Sequence, residues 1–434
     1  MRVAIHTLGC KVNQYETQAM ETLLQARGHT LVPFESEADA YIINTCTVTA
    51  VSDRKSRQMI RRAKARGTGA VVAVCGCYPQ THPEEAAAFE VDLWMGTHDR
   101  SGFVERLENM VQQRSAPLQD VDNAMQRRVF ERLPSGGLAG RTRAMLKVED
   151  GCVNFCTYCI IPYARGPVRS LPLADAAAAA KSLAAEGYRE LVLTGIELSS
   201  WGMDLSAGEG LADLIEAVCT AAPALRVRLG SLEPRTITED FCRRISTLPN
   251  LCPHFHLSLQ SGCDATLQRM GRRYDTRRYR QSVEELRAAF GPDMGLTTDV
   301  IVGFPGETEE EFSATLDFLQ NMSFSALHVF PYSVRPGTPA ARMEGQVPKS
   351  IKEDRAKRAG AVARSLQTQF FQRLVGKTFP VLFEEEKDGL WRGHAPNYVE
   401  VYAPGTELHN VLRPVLITGS TENGLTGRIE SEHR

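Results

Sequence analysis

Three cysteines spaced CxxxCxxC, Cys152, Cys156 and Cys159, constrain this chain more than any other stretch of it. They supply three thiolates, one fewer than the four donors that a tetrahedral metal ion or a four-iron cluster usually takes. In a cubane that shortfall leaves one iron open to a substrate. Residues 143–148 before them, Arg-Ala-Met-Leu-Lys-Val, read as a mostly apolar strand, and Asp150-Gly151 as the turn that leaves it. A loop at the carboxyl end of a first strand is where a β/α barrel places its chemistry. The competing reading is a structural zinc site completed by a distant His or Cys.

The other cysteines take their meaning from the compartment. The start, Met1-Arg2-Val3-Ala4-Ile5, lacks the apolar core of a signal peptide. No apolar run approaches the ~18 residues that span a bilayer, so the expected location is the cytoplasm, with no membrane partner. Disulfides rarely persist there, and eleven cysteines then argue for metal or redox chemistry. At 434 residues the chain exceeds one ordinary core, and about two to four domains are expected. A formal net charge of -2 gives no global sign of nucleic-acid binding, so an RNA surface has to be a local patch.

Residues 2–6 read as a short apolar strand and Thr7-Leu8-Gly9-Cys10 as the loop that leaves it. A helix follows over 14–26, where Tyr15, Ala19, Leu23 and Ala26 recur at helical spacing before Gly28. The pattern recurs at 40–46, with a helix after Ser52, and again at 70–77. Three parallel-type strands separated by helices predict a doubly wound α/β domain. Cys10, Cys46 and either Cys75 or Cys77 each fall at the carboxyl end of one of these strands, the edge where open α/β sheets gather ligands. A second three-thiolate site is therefore expected. From about Val111 to Arg141 the periodicity fades, ending in Pro134-Ser135-Gly136-Gly137, and reads as a linker.

From Arg143 onward strand and helix units repeat, with an Ala-rich helix at 173–186. Later strands end at Thr194-Gly195, Ser231-Leu232-Glu233, Gln260-Ser261, Val302-Gly303 and Tyr332-Ser333, which with the first make six. A long helix over 342–373 carries eight basic and three acidic residues. Short strands with Gly and Pro turns follow from Lys377 and read as a small β-barrel. Cys219, Cys242, Cys252 and Cys263 show no ligand spacing and read as core or surface thiols.

CxxxCxxC with an aromatic before its last cysteine resembles the signature of radical S-adenosylmethionine (SAM) enzymes. The first 125 residues resemble the N-terminal domain of the radical SAM methylthiotransferases. In that family the third ligand follows a glycine just after the strand, so Gly76-Cys77 matches and Cys75 is a departure. The resemblance implies a multidomain α/β protein: a doubly wound α/β domain over 1–125, a linker over 126–141, a partial (β/α)6 radical SAM barrel over 142–374 and an all-β TRAM barrel over 375–434. It implies two 4Fe-4S clusters, one on Cys10, Cys46 and Cys77, the other on the catalytic trio Cys152, Cys156 and Cys159. It places SAM against Thr194, Gly195, Ser231, Glu233, Gln260 and Gly303. Arg272 in Met270-Gly271-Arg272-Arg273-Tyr274 matches a family Met-x-Arg-x-Tyr pattern. Glu233 would suit the SAM amine or ribose, and Arg272 its carboxylate. The family's barrel cluster generates a 5'-deoxyadenosyl radical that abstracts an unreactive aryl hydrogen, its auxiliary cluster holds the sulfur, and a second SAM methylates it.

The string Gly9-Cys10-Lys11-Val12-Asn13-Gln14 resembles the branch that converts N6-threonylcarbamoyladenosine at tRNA nucleotide 37 to its 2-methylthio derivative. The isopentenyladenosine branch reads Gly-Cys-Gln-Met-Asn there, and the branch modifying a ribosomal-protein aspartate Gly-Cys-Pro-Lys-Asn. Partners implied are the tRNA anticodon region and an electron donor such as a flavodoxin or ferredoxin, with the enzyme a monomer. Two basic runs are candidates for phosphate contact: residues 52–67, with seven basic residues against Asp53, and 269–280, with six arginines and two tyrosines. Each is equally a solvated or inward-packed helix. The final barrel from Lys377 carries nine acidic and six basic residues, a poor phosphate binder by itself. A rival of another class is a non-catalytic, zinc-stapled RNA-binding protein, which needs a fourth ligand at each site and leaves the glycine turns unexplained.

Overall fold

The computed structural model describes residues 1–66, 69–136 and 141–430. Its N-terminal unit is one parallel sheet, in the order Thr30–Val32, Arg2–Thr7, Ala40–Thr45, Val71–Gly76, Leu93–Met95, Leu118–Asp120. The three central strands are those the sequence predicts; the three added ones have three residues each, too few to show a period of two. Ala40–Thr45 and Val71–Gly76 are buried throughout, which is why they read as continuous apolar runs rather than alternating ones. Helices Lys11–Ala26 and Arg100–Gln113 cover one face with Met20, Leu24, Phe103 and Leu107, and Ala50–Arg66 covers the other with Ile60 and Ala63.

The segment expected to be a linker is a packed strap. Leu118–Asp120 closes one edge of the sheet, Phe130 packs against the core of the central unit, and Tyr15 and Thr22 donate from their hydroxyls to the carbonyls of Leu133 and Gly136. Its polar side chains find partners, such as Arg127 on Thr97, and that makes an aperiodic stretch ordered. Residues 137–140 of the expected linker lie outside the described residues.

The central unit contains the six expected strands, with the third interrupted. Arg226–Leu229, Glu190–Thr194 and Arg143–Lys147 form one parallel sheet; Ser231–Leu232, His254–Leu257, Gly295–Val302 and Ala326–Pro331 form another. The break falls at Gly230, whose N–H leaves the row to bond the Leu193 carbonyl at 2.8 Å. Among the described residues the first and sixth strands do not pair, so the barrel is partial. The Ala-rich helix is Leu173–Ala185. The long basic helix runs Lys349–Leu374 rather than from residue 342: Pro339–Arg342 is a single 3-10 turn, and Pro348, extended at ψ 149°, precedes the first helical residue.

Five strands close the C-terminal barrel, in the order Thr378–Lys387, Leu390–His394, Glu400–Ala403, Leu425–Ile429, Leu412–Ser420. Phe370, Phe371 and Leu374 of the preceding helix complete its core, so barrel and helix are one packing unit. This is the small barrel expected of a TRAM module.

Candidate functional site

Three loops at the carboxyl edge of the N-terminal sheet carry Cys10, Cys46 and Cys77. Cys10 caps the helix Lys11–Ala26, Cys46 follows Ala40–Thr45, and Cys77 opens the short helix Cys77–Thr81. A Cβ placed on Gly9, at φ +109°, would lie 2.8 Å from Cys46 Cβ, so the first two loops touch. Asn13 locks them, donating from its carboxamide to the carbonyls of Leu8 and Thr45, each at 2.8 Å. Burial pushes the Cys77 thiol up to about 12; Arg165 opposes this and the nearby Cys46 and Cys10 add to it. Cys46 is likewise raised, chiefly by burial.

Cys75, left open beside Cys77 on strand placement, points the other way. It is fully buried among Val3, Met20, Ile42 and Phe103, and burial holds its thiol at about 11. The turn at Gly76 separates the two, since a continuing strand would put residues two apart on one face: Cys75 belongs to the strand and Cys77 opens the helix past Gly76. Gly76 sits at φ +103°, where an added Cβ would be 2.5 Å from the Thr45 carbonyl oxygen. Gly76→Ala is expected to displace Cys77 and to lower the iron bound after anaerobic reconstitution, because both the left-handed backbone and the contact penalise a side chain. Iron analysis of the variant against the wild type checks this.

The loop carrying the second trio leaves a two-residue hairpin, Glu149–Asp150 paired with Arg169–Ser170. Its backbone is held at both ends, by Cys152 N–H on the Gly166 carbonyl at 3.0 Å and Thr157 N–H on the Met270 carbonyl at 2.9 Å. Arg272 is fixed among several partners: Nη2 donates to Glu233 at 2.5 Å, Nη1 to Cys156 Sγ at 3.0 Å and Nε to the Tyr274 hydroxyl at 3.1 Å. A donor on a thiolate sulfur is one of the protein's means of setting a cluster's potential. Burial pushes Cys159 up to about 12 and Cys152 further still, and the positive charge of a bound metal acts in the opposite sense.

Both sites open on one cavity of about 1100 Å³, lined by Cys10 from the first trio and by all three cysteines of the second. Thr194, Gly195, Ser231, Glu233, Gln260 and Arg272 line it as well. Gly303, expected with them, does not: its Cα faces the Lys352 side chain, and its N–H is bonded to Glu307. The chain turns there toward the long helix rather than over the barrel mouth. Among the described residues no three His, Cys, Asp or Glu side chains close to the spacing of a single metal ion.

The sequence reading missed other residues in the wall. Lys11 enters from the residue after Cys10, and His254, His256, Asp299 and His328 from the inner faces of three barrel strands. Alternation was the available signal, since His254 and His256 are two apart on a strand whose intervening residue, Phe255, is core. Tyr398, at φ +68°, comes from the Ala395–Val399 turn of the C-terminal barrel, and only the docking of that barrel brings it there. It lies between His254 (ring centroids 4.8 Å) and His394 (5.0 Å).

The basic runs are largely spent on the protein itself. In helix Ala50–Arg66, Arg57 donates to the Tyr78 hydroxyl, Arg62 pairs with Glu35 and Lys64 bonds the Phe89 carbonyl, while Arg54 and Lys55 are exposed. In 269–280, Arg269 pairs with Glu311, Arg278 bonds the Pro234 carbonyl and Tyr279 is fully buried. Cys219, Cys242 and Cys252 are buried core thiols, and Cys263 is half-buried.

Residues 2–96 match a family described as Uncharacterized protein family UPF0004, and residues 146–319 match the Radical SAM superfamily. A Bacillus subtilis protein named threonylcarbamoyladenosine tRNA methylthiotransferase MtaB is 41% identical over 93% of this chain and 91% of its own length. A Pelotomaculum thermopropionicum protein named tRNA-2-methylthio-N(6)-dimethylallyladenosine synthase is 30% identical over 98% and 96%. Among solved structures, the radical SAM methyltransferase TsrM from Kitasatospora setae, with tryptophan and a SAM analog bound, is similar in fold, with a TM-score of 0.57 at 14% identity over 84% of this chain and 89% of that one. Two cysteine trios on the two matched regions, and relatives of this kind along almost the whole length, lead to one conclusion: the chain belongs to the radical SAM methylthiotransferase family.

Proposed function

We propose that this protein converts N6-threonylcarbamoyladenosine at nucleotide 37 of tRNA to its 2-methylthio derivative. The observation that carries the reading is the single cavity onto which Cys10 and the trio Cys152, Cys156 and Cys159 all open. An adenine that enters it can meet a radical source on one side and a sulfur carrier on the other. Each donor set fits a four-iron cluster: Cys152, Cys156 and Cys159 are buried or half-buried, Cys46 and Cys77 are buried with Cys10 exposed at the cavity, and the cavity is left for a fourth ligand. When bound, a cluster on Cys152, Cys156 and Cys159 supplies the electron that cleaves SAM, and one on Cys10, Cys46 and Cys77 supplies the place for the sulfur.

The chain's own groups bind, orient and exclude water. Thr194, Gly195, Ser231, Glu233 and Gln260 present strand-end polar groups to SAM. Gln260 does so from a left-handed backbone, φ +71°, of the kind that persists where surrounding structure imposes it. Arg272 presses against Cys156 and Glu233 together, so it orients the SAM-binding wall and withdraws charge from one sulfur. The electron enters from a separate donor such as a flavodoxin or ferredoxin, and the partner is the tRNA anticodon region, reached by a monomer in the cytoplasm. No helix of the described residues is long and apolar enough to cross a membrane.

The substrate reading rests on the Cys10-Lys11-Val12-Asn13-Gln14 string and on the greater likeness to the Bacillus protein than to the Pelotomaculum one. The test is anaerobic turnover, with SAM and a reductant, of tRNA bearing threonylcarbamoyladenosine and tRNA bearing isopentenyladenosine, read by mass analysis of the nucleosides. A mass gain for a methylthio group on the first alone is expected. Gain on the second alone, or a colourless zinc protein that cleaves no SAM, would overturn the reading.

A further inference from the structure

Lys11 stands apart from the other cations of its neighbourhood. It follows Cys10, lines the large cavity, and also lines a second of about 550 Å³ at the seam between the barrel and the C-terminal module. Tyr398 is likewise common to both, and Lys11 Nζ lies 6.0 Å from its ring centroid. Arg143 and Arg228 approach the same ring at 5.9 and 4.7 Å. Those two are already paired: Arg143 with Glu384 at 3.0 Å, Arg228 with Glu190 at 2.8 Å. Glu190 also holds Arg226 at 2.6 Å, and Glu384 faces His394 at 3.0 Å. Among the described residues Lys11 has no carboxylate within ion-pair distance. Of the other charges at the seam, Glu385 pairs with Arg392 at 2.8 Å and Arg141 with Glu21 at 3.7 Å, so Lys11 is the seam cation left uncommitted. It faces the large cavity, whose other lysine, Lys387, is exposed at its rim.

The acids elsewhere in the wall are engaged. Asp299 faces His256 at 3.6 Å, Glu233 holds Arg272, Glu400 pairs with Arg392 at 3.3 Å, and Glu197 accepts from the Ser199 N–H at 3.0 Å and from the Ser200 hydroxyl. The charge Lys11 calls for has to come from outside the protein, as an anion small enough to sit beside an aromatic plane. Tyr398 keeps its left-handed backbone because Asn397 donates to the Asp293 carbonyl at 3.0 Å and the two histidines flank its ring. The wall is therefore rigid where it meets Lys11.

The reading under "Proposed function", on which this inference rests, supplies such an anion. The adenine to be modified carries on N6 a carbamoyl arm ending in a threonine carboxylate, and C6 and C2 both flank ring nitrogen N1. The arm and the reacting carbon therefore enter the cavity together. We propose that Lys11 receives the threonyl carboxylate of the substrate, with the Tyr398 turn as the wall against which the arm lies. A hydrocarbon arm would leave the ammonium unpaired in a half-buried place, so the same contact would select against isopentenyladenosine.

The test uses the reconstituted full chain with two anticodon stem-loop RNAs, one carrying threonylcarbamoyladenosine and one carrying its threonyl methyl ester. The wild type is expected to prefer the acid in kcat/KM by roughly 10- to 100-fold, the usual effect of a charge-assisted contact. Lys11→Met should lose that factor on the acid and little on the ester, while Lys11→Arg keeps the preference. A wild type that uses both RNAs alike would overturn the assignment, and that comparison stands even where a variant fails to load iron. An equal loss on both RNAs in Lys11→Met would also overturn it, since that is the mark of a merely structural lysine. A third stem-loop carrying isopentenyladenosine separates the two readings: a wild type that modifies it alone would overturn the substrate reading and this contact with it.

Discussion

Alanine at any one of Cys152, Cys156 or Cys159 is expected to lower the iron retained after anaerobic reconstitution from about eight to about four per chain, reckoning two four-iron clusters. The same variants should release no 5'-deoxyadenosine above the level seen without reductant, because SAM cleavage is assigned to the cluster that this trio would hold and the other trio is assigned the sulfur. Cys77→Ala should lose the other four irons, and Cys75→Ala should lose none. The difference comes from the fold: Cys77 stands with Cys46 and Cys10 beyond the turn, whereas Cys75 is packed in the apolar core beneath the sheet. A Cys75→Ala protein that binds half the iron, beside a Cys77→Ala protein that binds all of it, would reverse the assignment.

Glu16→Ala should be among the most destabilising single changes in the chain. Glu16 is fully buried and receives Arg100 at 3.1 Å, Lys147 at 3.3 Å and Arg165, the last two from the central unit. Asp150, next to the second cysteine loop, takes Lys147 at 3.1 Å and Arg165 and Arg169 at 3.4 Å each. Arg165 also donates to Asn13 Oδ1 at 2.7 Å, and Asn13 is the side chain that ties the Cys10 and Cys46 loops. One ionic core therefore joins the supports of both trios. Removing its central carboxylate leaves three buried cations short of a partner, a change that typically costs about 3–5 kcal/mol. A fall in Tm of roughly 10 °C in the N-terminal unit follows, measurable by thermal melting. An unchanged melt would show that the network contributes no stability.

The sign of the pH dependence follows from the same group. Burial alone would raise Glu16, but Arg165, Arg100 and Lys147 outweigh it and hold the carboxyl at about 2, below its ordinary 4.5. Its stabilisation is therefore complete above the ordinary carboxylate range and is lost as pH falls through about 2. Between pH 6 and 8 this group should leave stability unchanged.

Strand ends were legible because a glycine or a small polar residue follows each apolar run, and a parallel sheet collects those ends on one edge. Cys10 and Cys46 were readable in this way, as was the CxxxCxxC loop. The short strands Thr30–Val32, Leu93–Met95 and Leu118–Asp120 were not, since three residues carry no periodicity and their pairing depends on neighbours distant in the chain. Gly303 illustrates the converse error: it ends a strand as the others do, yet the long helix lies against it.

By itself the sequence determined which atoms can do chemistry and which edge of each sheet they occupy, because ligand spacing and strand period are local properties. Tertiary structure alone decided that Cys10 and the trio Cys152, Cys156 and Cys159 line one cavity, and that Cys77 stands near Cys46 and Cys10 while Cys75 packs in the core. It also decided that Tyr398 of the last module and Lys11 of the first helix meet over the same space. Those facts depend on how three units pack and on buried ion pairs between residues more than a hundred positions apart, which no local pattern encodes.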